Sequence, residues 1–200
     1  MNLVERAKNI LLTPAKEWEV IKGENLTIAD MFTKYAMILA AIPAIAGFIG
    51  YVVIGVSFGF GTFRMPFSTA LIWAILTYIL SLGGIFLLAF IIDTLAPTFG
   101  CTKNITDAVK IVVFSYTASW VAGILNIIPA LAILVSLASI YSLYLMYMGM
   151  QKVKDVPKEK MMGYFVVTII AAIVVFFIIG FVVSRVAFGS MAGLGGLSGF

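Results

Sequence analysis

Five long apolar runs divide this chain of 200 residues, and polar residues gather in the short segments between the runs. Hydrophobic residues make up 62% of the sequence and charged residues only 11%, whereas about 25% of the residues of a soluble domain are charged. A helix needs about 20 apolar residues to cross about 30 Å of hydrocarbon. The sequence therefore predicts an all-α, polytopic integral membrane bundle of about five transmembrane helices.

Local signals set the predicted limits of the spans. Thr27 precedes Asp30 by three residues, and Asn104 precedes Asp107 by three, which is the spacing of a capped helix start. The predicted spans cover residues 27–58, 67–95, 104–128, 129–150 and 161–188. The chain then divides into a cytoplasmic amphipathic segment (1–26), a five-helix transmembrane domain (27–188) and a flexible, glycine-rich external tail (189–200).

The N-terminal segment has the pattern of an amphipathic helix that lies on the membrane surface. Glu5, Arg6, Lys8 and Asn9 form the predicted polar side. The opposite, apolar side is formed by Leu3, Val4, Ala7, Ile10 and Leu11. Thr13 and Pro14 predict the start of a second short helix, in which Trp18 would anchor at headgroup depth.

Basic residues are distributed unequally across the predicted membrane. Eleven of the thirteen fall on one side: Arg6, Lys8, Lys16, Lys22, Lys34, Lys103, Lys110, Lys152, Lys154, Lys158 and Lys160. The nine acidic residues share that side, and Arg64 and Arg185 fall on the other. The positive-inside rule then predicts a cytoplasmic N-terminus and an external C-terminus. Basic residues that are so thinly spread and mixed with acids do not indicate a nucleic-acid partner.

The sequence offers little for catalysis or metal binding. It contains no His, a single Cys101, no pair of acids within a span and no phosphate-binding loop of the P-loop spacing. We therefore expect no catalytic, cofactor-binding or metal-ligating residues, and no enzymatic activity.

Five residues are candidates for function: Asp93, Ser115, Tyr116, Asn126 and Tyr144. Asp93 follows a long apolar run, and we expect it at the cytoplasmic interface, paired with Lys103 or Lys110. The polar residues of the third span either line a cavity or form hydrogen bonds between helices. Tyr144 belongs either to an interfacial aromatic belt or to a ligand cage.

Small residues at four-residue spacing predict where the helices pack closely. Such series are Ala36, Ala40 and Ala44, the pair Gly55 and Gly59, and the series Ser115, Ser119 and Gly123. Packing within the chain explains them, and a dedicated dimerisation face is the alternative.

Several local patterns follow one another in order between residues 10 and 185. They are Leu12-Thr13-Pro14 with Glu17-Trp18 and Ile21, Phe99-Gly100 with Thr106 to Val109, Ser115-Tyr116, Pro129, and Tyr141-Ser142-Leu143-Tyr144-Leu145 with Tyr147 and Gly149. This layout resembles the Yip1 domain family of small multi-pass membrane proteins.

The resemblance implies five transmembrane helices, a cytoplasmic N-terminus and an external C-terminus. Eukaryotic relatives act in vesicle traffic and membrane shaping together with Rab-type GTPases. This chain differs from them, since a long cytosolic N-terminal region is not expected and Ala118 and Ser119 stand where similar proteins often carry a proline. It is more similar to prokaryotic members, which implies the inner membrane, and Rab binding is not carried over.

These observations favour a non-enzymatic membrane protein that organises protein or lipid partners at the cytoplasmic face. A small-solute or ion transporter or channel component, using the third span and Asp93, is the alternative. An intramembrane enzyme that acts on lipids is a third hypothesis. Membrane lipids are expected partners, and a protein partner at the cytoplasmic face and a homo-oligomer are left open.

Overall fold

A computed structural model describes residues 2–57 and 61–195, and the described part is almost entirely helical. Two short helices precede the membrane region, α1 (Leu3–Leu12) and α2 (Pro14–Gly23). The remaining α-helices are α3 (Ile28–Met31), α4 (Met37–Ile49), α5 (Phe67–Leu95), α6 (Ile105–Ser115), α7 (Thr117–Ala122), α8 (Ala132–Val153) and α9 (Lys158–Gly195).

Five helical stretches are long and apolar enough to cross a membrane, as the sequence predicts. They are Ile28–Ile54, Phe67–Phe99, Ile105–Ile127, Pro129–Val153 and Lys158–Ala187, here called the first to fifth spans. The third span is the centre of the bundle, because about 67% of its most apolar stretch is buried, against 33% or less for the others. The fold class is therefore confirmed.

The predicted helix starts are confirmed at the first and third spans. The Thr27 side chain accepts a hydrogen bond from the Asp30 amide at 3.1 Å, and Asn104 accepts one from the Asp107 amide at 3.2 Å. Each cap satisfies a backbone N–H group that the first turn of a helix leaves without an intrahelical partner.

The first span is less regular than predicted and ends earlier. One π-helical turn (Phe32–Ala36) precedes α4 and another (Gly50–Ile54) follows it. At Gly55 the backbone has φ +81°, which ends the helix, and β1 (Val56–Ser57) then pairs antiparallel with β2 (Thr62–Phe63). The predicted helical Gly55/Gly59 pair is wrong at Gly55, and Gly59 lies outside the described residues.

The other small-residue series pack inside the bundle. Ala36, Ala40 and Ala44 are buried. A Cβ added at Gly123 would lie 2.5 Å from the Pro43 Cβ, so this glycine lets the third span approach the first closely. At Gly84 an added Cβ would meet Ile179 of α9 at 2.5 Å, whereas the space beside Gly83 is open.

A very short connection joins the third and fourth spans, as predicted. The 3₁₀ turns Gly123–Ile127 and Pro129–Leu131 stand on either side of Ile128. The two spans form an antiparallel hairpin. At the other end of the chain, α9 continues beyond the fifth span to Gly195, so the first part of the predicted tail is helical, and residues 196–200 lie outside the described part.

The N-terminal helices pack against the bundle, and two expectations for them are wrong. Trp18 is fully buried within the protein rather than anchored among lipid headgroups, and its ring meets Phe114 edge to face with centroids 6.5 Å apart. Gly149 of α8 gives this ring room, because an added Cβ would lie 2.8 Å from it. Arg6 is also buried, whereas the amphipathic pattern placed it on the outer side.

Candidate functional site

Ionisable side chains gather at one end of the bundle, where the first, third and fifth spans begin and the second and fourth end. We call this the charged end. It comprises α1, α2 and residues 24–34, 93–110 and 151–160, and it holds every Lys, Arg, Asp and Glu except Arg64 and Arg185. It is therefore the candidate functional site of the chain.

Asp93 lies in a buried ion pair at this end. Its Oδ1 atom is 2.9 Å from the Lys154 Nζ atom and accepts a hydrogen bond from the Asn104 amide at 2.6 Å. Lys154 also donates to the carbonyls of Thr102 and Asn104, each at 3.3 Å. The lysine side chain is 2% exposed and the aspartate side chain 14%. The prediction from sequence that Asp93 pairs with Lys103 or Lys110 is therefore wrong.

The segment after the second span holds these carbonyls in place. A 3₁₀ turn (Ala96–Phe99) continues α5, and Gly100 then reverses the chain with φ +78°, a left-handed conformation that favours glycine. Phe99 stacks on Tyr164 of α9 with ring centroids 4.6 Å apart, and the Tyr164 hydroxyl donates to the Ile92 carbonyl. These contacts tie the second span, the segment after it and the fifth span together.

A second buried cluster joins α1 to α2. The Arg6 guanidinium pairs with Glu17 and Glu24, and its Cζ atom lies 5.5 Å from the centre of the Phe114 ring. The side chains of Arg6 and Glu17 are 6% and 8% exposed. Lys110 of the third span donates to the Glu24 carbonyl at 2.8 Å, so the same cluster ties the N-terminal helices to the bundle.

Two exposed ion pairs connect α2 to the segment between the fourth and fifth spans. Lys22 lies 2.7 Å from Asp155, and Lys152 lies 2.5 Å from Glu19. Exposed pairs of this kind contribute only about 0–1 kcal/mol each. These pairs nevertheless show that the N-terminal segment and the segment 151–160 form one surface.

Two polar clefts open at the charged end. One, of about 440 Å³, is lined by residues that include Lys22, Cys101, Asp107 and Lys154. The other, of about 280 Å³, lies between α1 and α2. Burial raises the pKa of the Cys101 thiol, which makes it a weaker nucleophile at neutral pH. Within residues 2–57 and 61–195, no three acidic or thiol side chains come together as metal ligands would.

The other candidate residues do not converge on Asp93. Ser115 is fully buried, and its hydroxyl has no hydrogen-bond partner among the described residues. Tyr116 packs between Trp120 and Phe176. Asn126 lies in the turn at the opposite end of the bundle, and Tyr144 is half exposed beside Tyr141. Their functional roles stay predictions.

Hydroxyl groups of the third span contact neighbouring spans. Thr117 and Tyr35 of the first span share a hydrogen bond of 2.8 Å, and Ser119 and Ser142 of the fourth span share another of 2.8 Å. Ser119 also donates to Ser139 at 3.3 Å. Of the two alternatives for this polar set, hydrogen bonding between helices is the one seen at Thr117 and Ser119.

Sequence reasoning placed these residues on one side of the membrane but missed the burial and contacts of Arg6, Glu17, Glu24, Lys110 and Lys154. One signal pointed to part of the cluster. Arg6 is adjacent to Ala7 and four positions before Ile10, so it shares one side of the helix with these two buried nonpolar residues. The partners in α2 and the third span leave no comparable periodic signal.

This arrangement defines a five-span helical membrane protein whose ionisable groups are concentrated at one end. The chain belongs to the Yip1 domain family, whose model matches residues 8–181. It is similar to the inner membrane protein YohC of Escherichia coli strains K12 and O6:H1, with 30% identity over 117 residues. The match covers 58% of this chain and 60% of each relative. No solved structure matches the chain.

Proposed function

We propose that this chain is a non-enzymatic inner-membrane protein that organises protein or lipid partners at the cytoplasmic face. One observation carries the proposal. The N-terminal helices and the segment 151–160 come from distant parts of the sequence but form one surface, joined by the Lys22–Asp155 and Lys152–Glu19 pairs. Lys103, Lys158 and Lys160 are exposed at the charged end and are available to partners.

The inner membrane is proposed from the relatives and the orientation from the charge count. The YohC proteins are named inner membrane proteins, and eleven of the thirteen basic residues fall at the charged end. Cytoplasmic segments of membrane proteins carry the excess of Lys and Arg. The charged end is therefore proposed to face the cytoplasm.

No comparable structural observation supports the alternative of a transporter or channel component. Asp93 is held by Lys154 and by the Asn104 amide, so its carboxylate is already occupied. Thr117 and Ser119 use their hydroxyls for contacts with other spans. A carrier would need such groups to face its solute.

Labelling of single cysteines tests the orientation. In a Cys101→Ser background, we expect Arg64→Cys to react with a membrane-impermeant maleimide added outside intact cells. Lys103→Cys, also exposed but at the charged end, should react only after permeabilisation. The reverse pattern would place the charged end outside and end the proposal in this form.

Site-specific photocrosslinking in cells tests the organising role. A photoreactive residue replaces Glu19 of α2 or Lys158 of the fifth span, and Thr62 at the other end is the matched control. Because these two positions belong to one surface, we expect both to capture the same protein or lipid, identified by mass spectrometry, and Thr62 not to capture it. Crosslinks only between copies of this chain, together with a retained small solute, would instead support the transporter.

A further inference from the structure

We propose that α1 and α2 form a re-entrant hairpin that enters the hydrocarbon of the leaflet at the charged end and contacts lipid acyl chains. The turn between the two helices, Leu12-Thr13-Pro14, would lie near the middle of the bilayer. This goes beyond the organising role and does not depend on it. It requires only that the five spans cross a membrane.

Contacts along the fourth span show how deep the hairpin reaches. Lys22 pairs with Asp155 just beyond the end of α8, and Glu19 pairs with Lys152. Trp18 lies against Gly149. The Tyr141 hydroxyl then donates to the Leu11 carbonyl at 2.8 Å. As the residue number falls in the N-terminal segment, it also falls in α8, so α2 runs beside α8 in the same direction.

The position of these contacts along α8 gives the depth of the hairpin turn in the membrane. Met150 is the last apolar residue before Gln151 and Lys152, and Tyr141 precedes it by nine positions. At 1.5 Å per residue, Tyr141 and the Leu11 carbonyl lie about 13 Å inside the apolar part of the fourth span. Half the hydrocarbon core is about 15 Å. The turn of the hairpin thus reaches nearly to the middle of the membrane.

Several backbone groups at the turn have partners within the protein, which lowers the cost of placing them in hydrocarbon. The Leu11 carbonyl, at the end of α1, accepts the Tyr141 hydroxyl. The Asn9 carbonyl accepts both the Thr13 amide at 2.8 Å and the Thr13 hydroxyl at 3.2 Å. Pro14 has no N–H group to satisfy.

The outer face of the hairpin is suited to lipid. Leu12 is 69% exposed at the turn, and Thr13 and Ala15 beside it are exposed and uncharged. Lys8 and Lys16 are exposed too, but each is four positions from Leu12, about 6 Å nearer the charged end, where long side chains can extend to the headgroups.

Arg6 and Glu17 are turned away from this face, because they are paired with each other and buried between the hairpin and the bundle. Glu5, Glu19 and Lys22 are exposed, but each is at least seven positions from Leu12 and so lies nearer the charged end. An ionised side chain near lipid is tolerated when it faces the protein interior and is paired. This explains why Arg6 departs from the amphipathic pattern of a helix lying on the surface.

Spin labels measure the depth directly. The full chain with Cys101→Ser carries a nitroxide at Leu12→Cys and is reconstituted in nanodiscs of phosphatidylcholine and phosphatidylglycerol. Collision rates are measured with oxygen, which partitions into hydrocarbon, and with a water-soluble nickel chelate. Ile79→Cys, 57% exposed in the middle of α5, is the lipid control, and Glu19→Cys, exposed in α2, is the water control.

We expect the ratio of oxygen to nickel collisions at Leu12 to match that at Ile79 and to exceed that at Glu19. Ala15→Cys, exposed on the same turn, should give the same result and covers the case in which the Leu12 variant fails to fold. A ratio at either position that equals the Glu19 value would overturn the proposal and return the hairpin to the membrane surface.

Discussion

Replacement of Asp93 by Asn is expected to destabilise the folded bundle by about 3–5 kcal/mol, because it leaves the Lys154 ammonium buried without its counter-charge. The two carbonyls that also accept from Lys154, those of Thr102 and Asn104, lie at 3.3 Å and carry no formal charge. For an exposed pair at the interface, the position that the sequence predicts for Asp93, the expected loss would be only about 0–1 kcal/mol. The burial of Lys154 reverses that expectation.

A double-mutant cycle separates the ion pair from other effects. The free energy of unfolding is measured in mixed micelles by titration with SDS for Asp93→Asn, Lys154→Met and the two together. The double variant should be more stable than the sum of the single losses predicts, because it removes both charges. Lys152→Met, from the exposed pair with Glu19, is the matched control and should change stability by about 0–1 kcal/mol. A loss at Asp93→Asn no larger than this control would contradict the buried-pair description.

The sequence was sufficient for the parts of the fold that depend on short-range patterns. Apolar length gave the five spans, and side-chain caps at Thr27 and Asn104 gave two helix starts. Alanines at four-residue spacing gave a buried ridge on the first span. Each of these features is decided within one or two helical turns, so a single sequence contains it.

The partner of Asp93 could not be predicted in the same way. Several lysines flank the ends of the spans at a similar depth, and which one meets Asp93 depends on how each helix is rotated about its axis. Lys110 faces the Glu24 carbonyl instead, and Lys154, which is 61 positions from Asp93, completes the pair. Helix rotation is set by the packing of the whole bundle, which no local pattern records.

The N-terminal segment was misjudged for a related reason. An amphipathic pattern shows which residues share a side but does not show what covers the polar side. Here α2 brings Glu17 and Glu24 to Arg6, and the bundle brings Phe114 and a site for Trp18. A charged residue thereby becomes an internal one, and a tryptophan typical of an interface becomes part of the core.

Replacement of Arg6 by Met is expected to release the N-terminal hairpin from the bundle without unfolding the five spans. Arg6 is the cation that both Glu17 and Glu24 contact, and Glu17 would be left buried and unpaired. Loss of one partner of a buried pair costs about 3–5 kcal/mol. Regions of a protein can open separately when their contacts are weaker than those of the core. At about 1.4 kcal/mol per tenfold change, the opening equilibrium constant of the hairpin should rise by a factor of about 100 to 4,000.

Hydrogen exchange measured in nanodiscs reports the opening of each helix separately. In Arg6→Met, the protection factors of amides in α1 and α2 should fall by a factor of about 100 to 4,000. Amides of α5 and α9 should keep their protection, because these two helices pack on each other through Gly84 and Tyr164 and do not depend on the hairpin. Adding Glu17→Gln to Arg6→Met should restore part of the protection, since it removes the buried carboxylate that has lost its partner. Lys22→Met, which breaks only the exposed pair with Asp155, should leave the hairpin protected. Unchanged exchange in Arg6→Met would mean that apolar contacts such as those of Trp18 and Ile10 hold the hairpin without the ion pairs.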